Sequence, residues 1–449
     1  MVTRTGNSVS RRALLAGASA TAIALGTGWA AAQSSGLGTS SQPVEIRVSA
    51  NEAFSNQLQT VVVPEFNKRF PNIKVKVDGI PYVELLAKEM LDVTGASPVY
   101  DVVIADEPWV PQLAKTGGFL DLRGKEAAAW TKPDYDWDDF YKAALASGEF
   151  DGVQYGVPLR SNLLLLFYNK TLYKKAGVPA PTPEVTWTQF LERLPKLVQD
   201  TNGDGAIDSW AIDTYFIREP LTPTIWQTIL NSNGGRLFDA NGKPAFNTEA
   251  GIAALETHKG FLKYAPAGAL GHGFSESLQA FRQGQVANLF NWGSVFKGTA
   301  VDAATTKLKP DEVGIQVMPV GSSSAGAHRG IWNGMVTAKS PKKEAAWTFL
   351  QWLSSKEGEL WYANELGIFP ARKSTLASTP KSEWLVPVFA ALRQGFDVAA
   401  KGEMWRLRHP RSDAVQQVFA DEIARALAGQ VSSAEALKTA SSKIERLLR

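Results

Sequence analysis

The chain has 449 residues, 44% of them hydrophobic, which is too long for one ordinary domain and predicts two globular domains. Three of its 47 basic residues and none of its 44 acidic residues lie in the first 32 positions, so the rest is close to neutral and gives no reason to expect nucleic acid or an anionic membrane as a partner. The chain has no cysteine and four histidines, which excludes disulfides and cysteine nucleophiles, and we expect neither a cofactor nor a transition metal.

The first 32 residues predict an export signal. Arg4 and the pair Arg11-Arg12 precede an Ala-, Leu- and Gly-rich run at 13–28, and three alanines at 30–32 provide a cleavage site, so we expect cleavage after Ala32 and a periplasmic location. The segment SRRALL is similar to a twin-arginine signal, with an ordinary secretory signal as the alternative. A retained membrane anchor is disfavoured because the run is short and contains many Gly, Ser and Thr residues.

Strands and helices alternate through the mature chain. Residues 33–42 are rich in Ser and Gly and predict a flexible lead-in. VEIRVSA and IKVKVDG alternate as strands do, LQTVVVPEFNKRFP and PYVELLAKEML have helical spacing, and the apolar strand YDVVIAD is followed by the helix VPQLAKTGGFLDL. The same alternation continues to the C terminus. It predicts an α/β fold with mostly parallel sheets flanked by helices, in which ligands bind beyond the carboxyl ends of the strands.

Several segments match one family in order. They are YDVVIADEPWVPQLAKTGGFLDL, YGVPL with Tyr168-Asn169-Lys170, TWTQFLERL, NSNGGRLFDANGKPAFNT, AFRQGQVANLFNWG, VGIQVMPVG, KSPKKEAAWTFLQWLSS and LGIFPARKS. Over 43–449 the chain thereby resembles the carbohydrate-type extracellular solute-binding proteins of ABC importers, the maltose-binding-protein-like family. The resemblance implies a monomeric, non-enzymatic protein that binds a sugar or polyol and delivers it to a membrane permease.

The resemblance also implies a two-lobed periplasmic-binding-protein fold, with the ligand enclosed between lobes that hinge segments connect. We expect 43–158 and 320–355 to form the N-terminal lobe, and 159–319 and 372–449 to form the C-terminal lobe. The hinge region is expected at 356–371.

Aromatic platforms are expected in such a site, because a sugar presents C–H surface that the flat face of Trp covers at low entropic cost. The chain has 14 Trp, and those in loops or beyond strand ends are the candidates: Trp109, Trp226, Trp292, Trp332 and Trp405. Trp292 is the strongest, since NLFNWG resembles the family segment in which a strand ends at an aromatic facing the cleft. Ordinary core packing is the alternative for each.

Polar candidates follow the predicted strands. The resemblance places acids that accept hydrogen bonds from sugar hydroxyls directly after VVIA, and hydrogen bonds to a charged group contribute roughly 1.5–3 kcal/mol. Solvated loops, helix caps or a hinge brace are the alternatives. The polar candidates are Asn51, Glu52, Asp106, Glu107, Arg160, Asn162, Asn333 and Arg372.

One loop has part of a calcium-binding pattern. Asp200, Asn202, Asp204 and Asp208 stand at the first, third, fifth and ninth positions of such a loop, with glycine at the sixth. Ala211 occupies the twelfth position, where the closing Glu is required. The sequence therefore favours a polar turn, and we expect no metal site.

The sequence leaves two alternatives, an enzyme and a binding protein for another class of solute. A secreted glycoside hydrolase would need two carboxylates about 5–10 Å apart across the scissile bond. Nothing in the sequence identifies such a pair, so we expect no enzymatic activity. Within the binding class, an amino acid, a polyamine, an oxyanion or glycerol phosphate stays open as the solute.

Overall fold

The structure is a computed structural model that describes residues 38, 41–402 and 404–449. The predicted export signal and most of the predicted lead-in lie outside the described residues. Within them, no helix has both the length and the apolar character needed to cross a membrane.

The strands are short and are distributed over the whole chain. They are β1 (Val44–Asn51), β2 (Ile73–Ile80), β3 (Val102–Asp106), β4 (Glu149–Phe150), β5 (Val153–Gln154), β6 (Gly156–Arg160), β7 (Leu164–Asn169), β8 (Asn288–Trp292), β9 (Val313–Gln316), β10 (Met318–Val320), β11 (Ala325–Gly326) and β12 (Trp332–Val336).

Helices fill most of the intervening sequence. They are α1 (Glu52–Gln57), α2 (Val63–Arg69), α3 (Tyr82–Thr94), α4 (Val110–Ala114), α5 (Lys125–Ala128), α6 (Lys142–Leu145), α7 (Lys170–Lys175), α8 (Trp187–Leu197), α9 (Pro223–Ser232), α10 (Glu249–Gly260), α11 (Phe274–Arg282), α12 (Phe296–Ala300), α13 (Lys343–Leu353), α14 (Lys356–Leu366), α15 (Lys373–Ala377), α16 (Leu385–Gly402), α17 (Ser412–Leu427) and α18 (Ser433–Leu448). A π-helical stretch, Leu58–Val62, connects α1 to α2.

The first sheet has the strand order β2-β1-β3-β12-β6. β1 is parallel to β2 and β3, as the sequence predicts, whereas β12 is antiparallel to both β3 and β6. Ile46 and Val48 of β1 are fully buried in the core beneath this sheet, together with Ile104 of β3 and Trp347 of α13. The carboxyl ends of β1, β3 and β6 and the start of β12 therefore lie at one edge of the sheet.

The second sheet has the order β8-β7-β9, and β7 is antiparallel to both neighbours. The predicted parallel pairing is wrong for this sheet. The reason is the direction of entry: β7 begins directly after β6 and runs away from the first sheet, while β8 runs back, so that its last residue Trp292 pairs with Leu164. Strand β7 enters from the first lobe and begins at the cleft, whereas β8 ends at the cleft, so the two strands run in opposite directions.

Strand β7 is buried on both faces. Leu165 and Phe167 belong to a core that is continuous with that of the first sheet, whereas Leu164 and Leu166 belong to a second core that includes residues of α9, α10, α17 and α18. Successive side chains of a strand point to opposite faces, so a central strand needs a continuous apolar run. This accounts for the sequence LLLLFY.

Local signals end the elements near the site. The side chain of Asn169 accepts hydrogen bonds from the backbone N–H groups of Thr171 and Leu172 and caps α7, and Gly177 follows that helix with a positive φ of 63°. The chain passes from the first sheet to the second between Arg160 and Leu164, and it returns before Trp332. The limits proposed above for the two lobes stay a prediction.

Candidate functional site

A cavity of about 300 Å³ lies where the ends of both sheets meet. Strands β1, β3, β6, β8 and β12 each contribute a terminal residue to its wall, and helices α3 and α11 contribute their first residues. The cavity is lined by Asn51, Tyr82, Asp106, Arg160, Asn162, Leu221, Phe274, Trp292, Ser294, Val295, Gly330, Trp332 and Arg406.

Three neighbouring strands place a carboxylate, an indole and a guanidinium side by side. Trp332, the first residue of β12, pairs with Asp106 of β3 on one side and with Arg160 of β6 on the other. Neighbouring strands are separated by about 4.8 Å, so the backbones of Asp106 and Arg160 stand about 10 Å apart across Trp332. The order along this edge is therefore acid, aromatic, base.

Asp106 is buried and accepts hydrogen bonds from both sides. One carboxylate oxygen accepts from the Tyr82 hydroxyl at 2.9 Å, and the other accepts from Nη2 of Arg406 at 2.6 Å. Burial, together with the negative charge of Asp106, raises the pKa of Tyr82, so the phenol stays protonated and donates. Nε and Nη1 of Arg406 are buried without a hydrogen-bond partner among the described residues.

The aromatic walls come from both lobes. On the first sheet, Trp332 meets the rings of Tyr82 and Trp109 nearly edge to face, at centroid distances of 6.0 and 5.9 Å. On the second sheet, Trp292 lies 6.1 Å from the ring of His328. A Cβ atom on Gly330 would stand 2.7 Å from Cζ3 of Trp292, so the absence of a side chain at 330 lets the backbone approach the indole.

Asn162 links the crossing segment to the end of β8. Its Nδ2 donates to Oγ of Ser294 at 2.9 Å, and its Oδ1 accepts from the backbone N–H of Ser294 at 3.1 Å. Ser294 follows Trp292 in a short 3-10 helix, Gly293–Val295. The pair of hydrogen bonds fixes the turn that carries Trp292 relative to the crossing segment.

The sequence profile of the family described as "bacterial extracellular solute-binding protein" matches residues 51–360. This chain belongs to that family. The resemblance stated from the sequence is therefore confirmed, and the family is one of binding proteins, not of enzymes.

Two curated relatives of this solute-binding protein have similar sequences. The mannitol-binding protein of Pseudomonas aeruginosa is 27% identical over 58% of this chain and 60% of its own length. A probable amino-acid ABC transporter periplasmic-binding protein of Sinorhizobium fredii is 26% identical over 74% of this chain and 73% of its own length.

Solved structures agree with the architecture. A ribitol complex of an ABC transporter solute-binding protein from Agrobacterium radiobacter K84 superposes with a TM-score of 0.75 at 27% identity, covering 90% of this chain and all of the other. A maltose-bound protein of T. maritima also gives 0.75, at 20% identity over 90% of this chain and 99% of its own, and shows the shared fold. The predicted two-lobed α/β fold is confirmed.

Six of the predicted site residues line the cavity of the solute-binding protein, and they come from both sheets and the crossing between them. Their contact with the solute is a proposal. They are Asn51, Asp106, Arg160, Asn162, Trp292 and Trp332.

Three further candidates stand directly behind the cavity wall. The side chain of Glu107 is buried and accepts from Nε of Arg329 at 2.8 Å, because the residue after Asp106 points to the opposite side of the chain. Trp109 is 3% exposed and packs on Tyr82 at 5.0 Å. Asn333 is fully buried, and its Oδ1 accepts from the Ser147 hydroxyl at 2.9 Å.

Four candidates lie away from the wall, each for its own reason. Trp226 is in the second core, where its Nε1 donates to the carbonyl of Gly251 at 2.9 Å. Arg372 is 1% exposed and donates to the carbonyls of Ser354, Asp136 and Tyr135, so it braces the chain. The ring of Trp405 stacks against the Arg329 guanidinium at 4.6 Å, and Glu52 is exposed as the first residue of α1.

Sequence reasoning missed Tyr82, Leu221, Phe274, Ser294, Val295, Gly330 and Arg406 on the wall. Tyr82 had a usable signal, since it follows β2 just as Asp106 ends β3, and ligands bind beyond such ends. Arg406 had none, because it lies in an irregular segment far along the chain and reaches the site only through tertiary packing.

The candidate calcium loop is closed by its own hydrogen bonds. Asp200 accepts from the backbone N–H groups of Gly203 and Gly205 at 2.6 and 2.7 Å, and Asp208 accepts from the backbone N–H of Thr201 at 2.8 Å. Asn202 and Asp204 bond within the same turn. Within the part of the chain that the structure describes, no three His, Cys, Asp or Glu side chains are grouped so that they could hold a metal ion.

Proposed function

We propose that this protein is the periplasmic solute-binding component of an ABC importer, and that it encloses a sugar or polyol between its lobes for delivery to the membrane permease. The observation that carries the proposal is the pair of indoles, Trp332 on the first lobe and Trp292 on the second, facing one cavity beside hydrogen-bonding side chains. Flat apolar faces suit the C–H surface of a polyhydroxylated ring or chain.

The polar groups on the wall suit hydroxyl groups. Asp106 accepts, Tyr82 both donates and accepts, and Asn51 and Asn162 carry amide groups. The cavity of about 300 Å³ is at the lower end of the roughly 300–1,000 Å³ usual for small-molecule pockets, which favours one monosaccharide-sized unit over a longer chain. Relatives named for mannitol and ribitol support the same size class.

Catalysis on the solute has little support. Glycoside hydrolysis uses two carboxylates that flank the bond, and among the described residues Asp106 is the cavity's one carboxylate. Binding followed by transfer of the unchanged solute therefore remains the proposal.

For transport, the permease must distinguish the binding protein with a bound solute from the binding protein without one. The solute would contact both lobes and thereby favour their closed arrangement, which the permease would recognise. The proposal also includes export through the signal at 1–32 and action as a monomer. It places the first lobe at 43–158 with 320–355 and the second lobe at 159–319 with 372–449.

The test is a thermal-shift screen of the purified mature protein against sugars, alditols, amino acids, polyamines and glycerol phosphate, followed by calorimetry. A solute at 100 times its dissociation constant adds about 2.7 kcal/mol of stability. We expect a sugar-like or polyol solute to shift the melting temperature and to be recovered unchanged. A shift only with a polyamine or a simple oxyanion would contradict the proposal, and consumption of the solute would show an enzyme.

A further inference from the structure

The charges on the cavity wall are unequal. Arg160 and Arg406 are cationic, and Asp106 is the one anionic group among the described lining residues. Asp106 and Arg406 form an ion pair at 2.6 Å with both side chains buried, so these two charges largely balance each other. The wall is left with one uncompensated positive charge, on Arg160.

Arg160 is held in place without an anionic partner. Its guanidinium lies 5.4 Å from the centroid of the Phe54 ring, and Nη1 is 3.5 Å from Oε1 of Gln57. Among the described residues it makes no ion pair. Arg160 is partly buried, which is unfavourable for a guanidinium that no opposite charge accompanies, and this burial lowers the pKa of Arg160. A bound anion would supply the missing charge.

The geometry points to a carboxylate on the solute. Resting on the function proposed above, we propose that the solute is a sugar acid, a polyhydroxylated chain or ring with one carboxylate, and that this carboxylate pairs with Arg160. The planar guanidinium matches a carboxylate through two parallel hydrogen bonds. The hydroxyl groups then lie over Trp332 toward Asp106 and Tyr82, about 10 Å along the sheet edge from Arg160.

The net charge of the cavity wall also favours a carboxylate over a phosphate. One uncompensated cation neutralises a carboxylate of charge −1, whereas a phosphate monoester carries about −1.5 to −2 at neutral pH and would leave excess negative charge in the cavity. A polyamine would add positive charge to a wall that already has an excess of it. The wall therefore fits a monoanion.

Calorimetry on matched pairs tests the inference, because gluconate and sorbitol, mannonate and mannitol, and ribonate and ribitol differ only at one terminal carbon. We expect at least one acid to bind about tenfold or more tightly than its alditol. Arg160→Gln should remove that preference by weakening the acid and leaving the alditol nearly unchanged, and Arg160→Lys, which keeps the charge, should retain part of it. Arg218→Gln removes a charge from an exposed pair with Asp421 and should change neither affinity.

The outcomes are distinguishable. Alditols that bind as tightly as their acids, or an Arg160→Gln variant that weakens both members of a pair equally, would overturn the inference and leave the proposed function standing. Tighter binding of sorbitol 6-phosphate than of gluconate would also overturn it. Absence of binding by every sugar, alditol and sugar acid would overturn the proposed function itself.

Discussion

At the scale of single residues, Asp106 connects the polar side chains of the site. Its carboxylate joins Tyr82 of α3 to Arg406, a residue 300 positions away in sequence. Arg406 is 5% exposed, so its charge depends on Asp106 for compensation. Removing one partner of a buried ion pair leaves the other uncompensated, which destabilises a protein by about 3–5 kcal/mol.

Asp106→Asn is therefore expected to lower the free energy of unfolding by about 3–5 kcal/mol and to weaken solute binding, because the variant keeps the shape of the side chain but not its charge. Urea denaturation and calorimetry measure the two effects. Tyr82→Phe is the matched control, since it removes a single hydroxyl donor to the same carboxylate and should destabilise by about 1.5–3 kcal/mol. Equal destabilisation by both variants would show that the charge of Asp106 is not what stabilises Arg406.

Gly330 sets the place of Trp292. A Cβ atom at 330 would come within 2.8 Å of two ring carbons of Trp292, closer than side chains pack, so the indole would have to move. Overpacking of this kind destabilises by about 1–3 kcal/mol. We expect Gly330→Ala to weaken solute binding by about tenfold or more, measured by calorimetry.

Gly260→Ala is the control for that substitution. A Cβ atom at 260, at the end of α10, meets no atom within 4 Å, so affinity and melting temperature should stay near those of the wild-type protein. Unchanged affinity in Gly330→Ala would remove Trp292 from the set of solute contacts.

Among the elements, those with local signals were predictable. The alternation in VEIRVSA predicted β1, because strand periodicity is visible within a few residues. The Asn169 cap at the start of α7 is a local signal of the same kind. The pairing direction of β7 and β8 was predicted wrongly, because it depends on which lobe the chain comes from. The sequence of β7 alone contains no trace of that direction.

Helix α10 contains a buried histidine whose ionisation should affect stability. His258 is fully buried beside Phe216, and its Nε2 lies 2.9 Å from the carbonyl oxygen of Tyr215. Burial lowers the pKa of His258 from 6.5 to about 4, although the hydrogen bond to Tyr215 acts against this shift. The unfolded chain therefore binds a proton below about pH 6.5 that the folded protein does not bind until about pH 4, so stability falls as the pH falls through this range.

Between about pH 7 and pH 5 this histidine should reduce the free energy of unfolding by about 2 kcal/mol, and His258→Asn should lose that part of the pH dependence. Urea denaturation of both proteins at the two pH values measures it. Asp213, whose pKa burial raises to about 6, affects stability in the opposite direction, but it is present in both proteins and cancels in the comparison. Parallel pH profiles for the two proteins would contradict the assignment.

At the scale of the whole molecule, the sequence predicted the fold better than it predicted the wall of the site. The order of segments pointed to the family, and the family profile confirms it over 51–360. Trp226 and Arg372 were chosen for their residue type and place, yet the structure holds both in the interior. Long-range packing decides whether a large side chain faces a cavity or a core, and local pattern does not contain that information.

The cavity wall also predicts how the molecule responds to its solute. Asp106 and Trp332 belong to the first sheet and Trp292 to the second, so a bound solute can contact all three only when the lobes are close together. We expect the radius of gyration, measured by small-angle X-ray scattering, to decrease when the solute is added, toward the value of about 22 Å for a compact chain of this length. At the same solute concentration the radius of gyration of the Gly330→Ala variant should decrease less, because this variant binds the solute more weakly. A ligand shifts a conformational equilibrium only by its differential affinity for the two states. A radius that stays constant while calorimetry shows saturation would mean that the solute enters a cleft that is already closed, and lobe closure would then not be the signal that the permease reads.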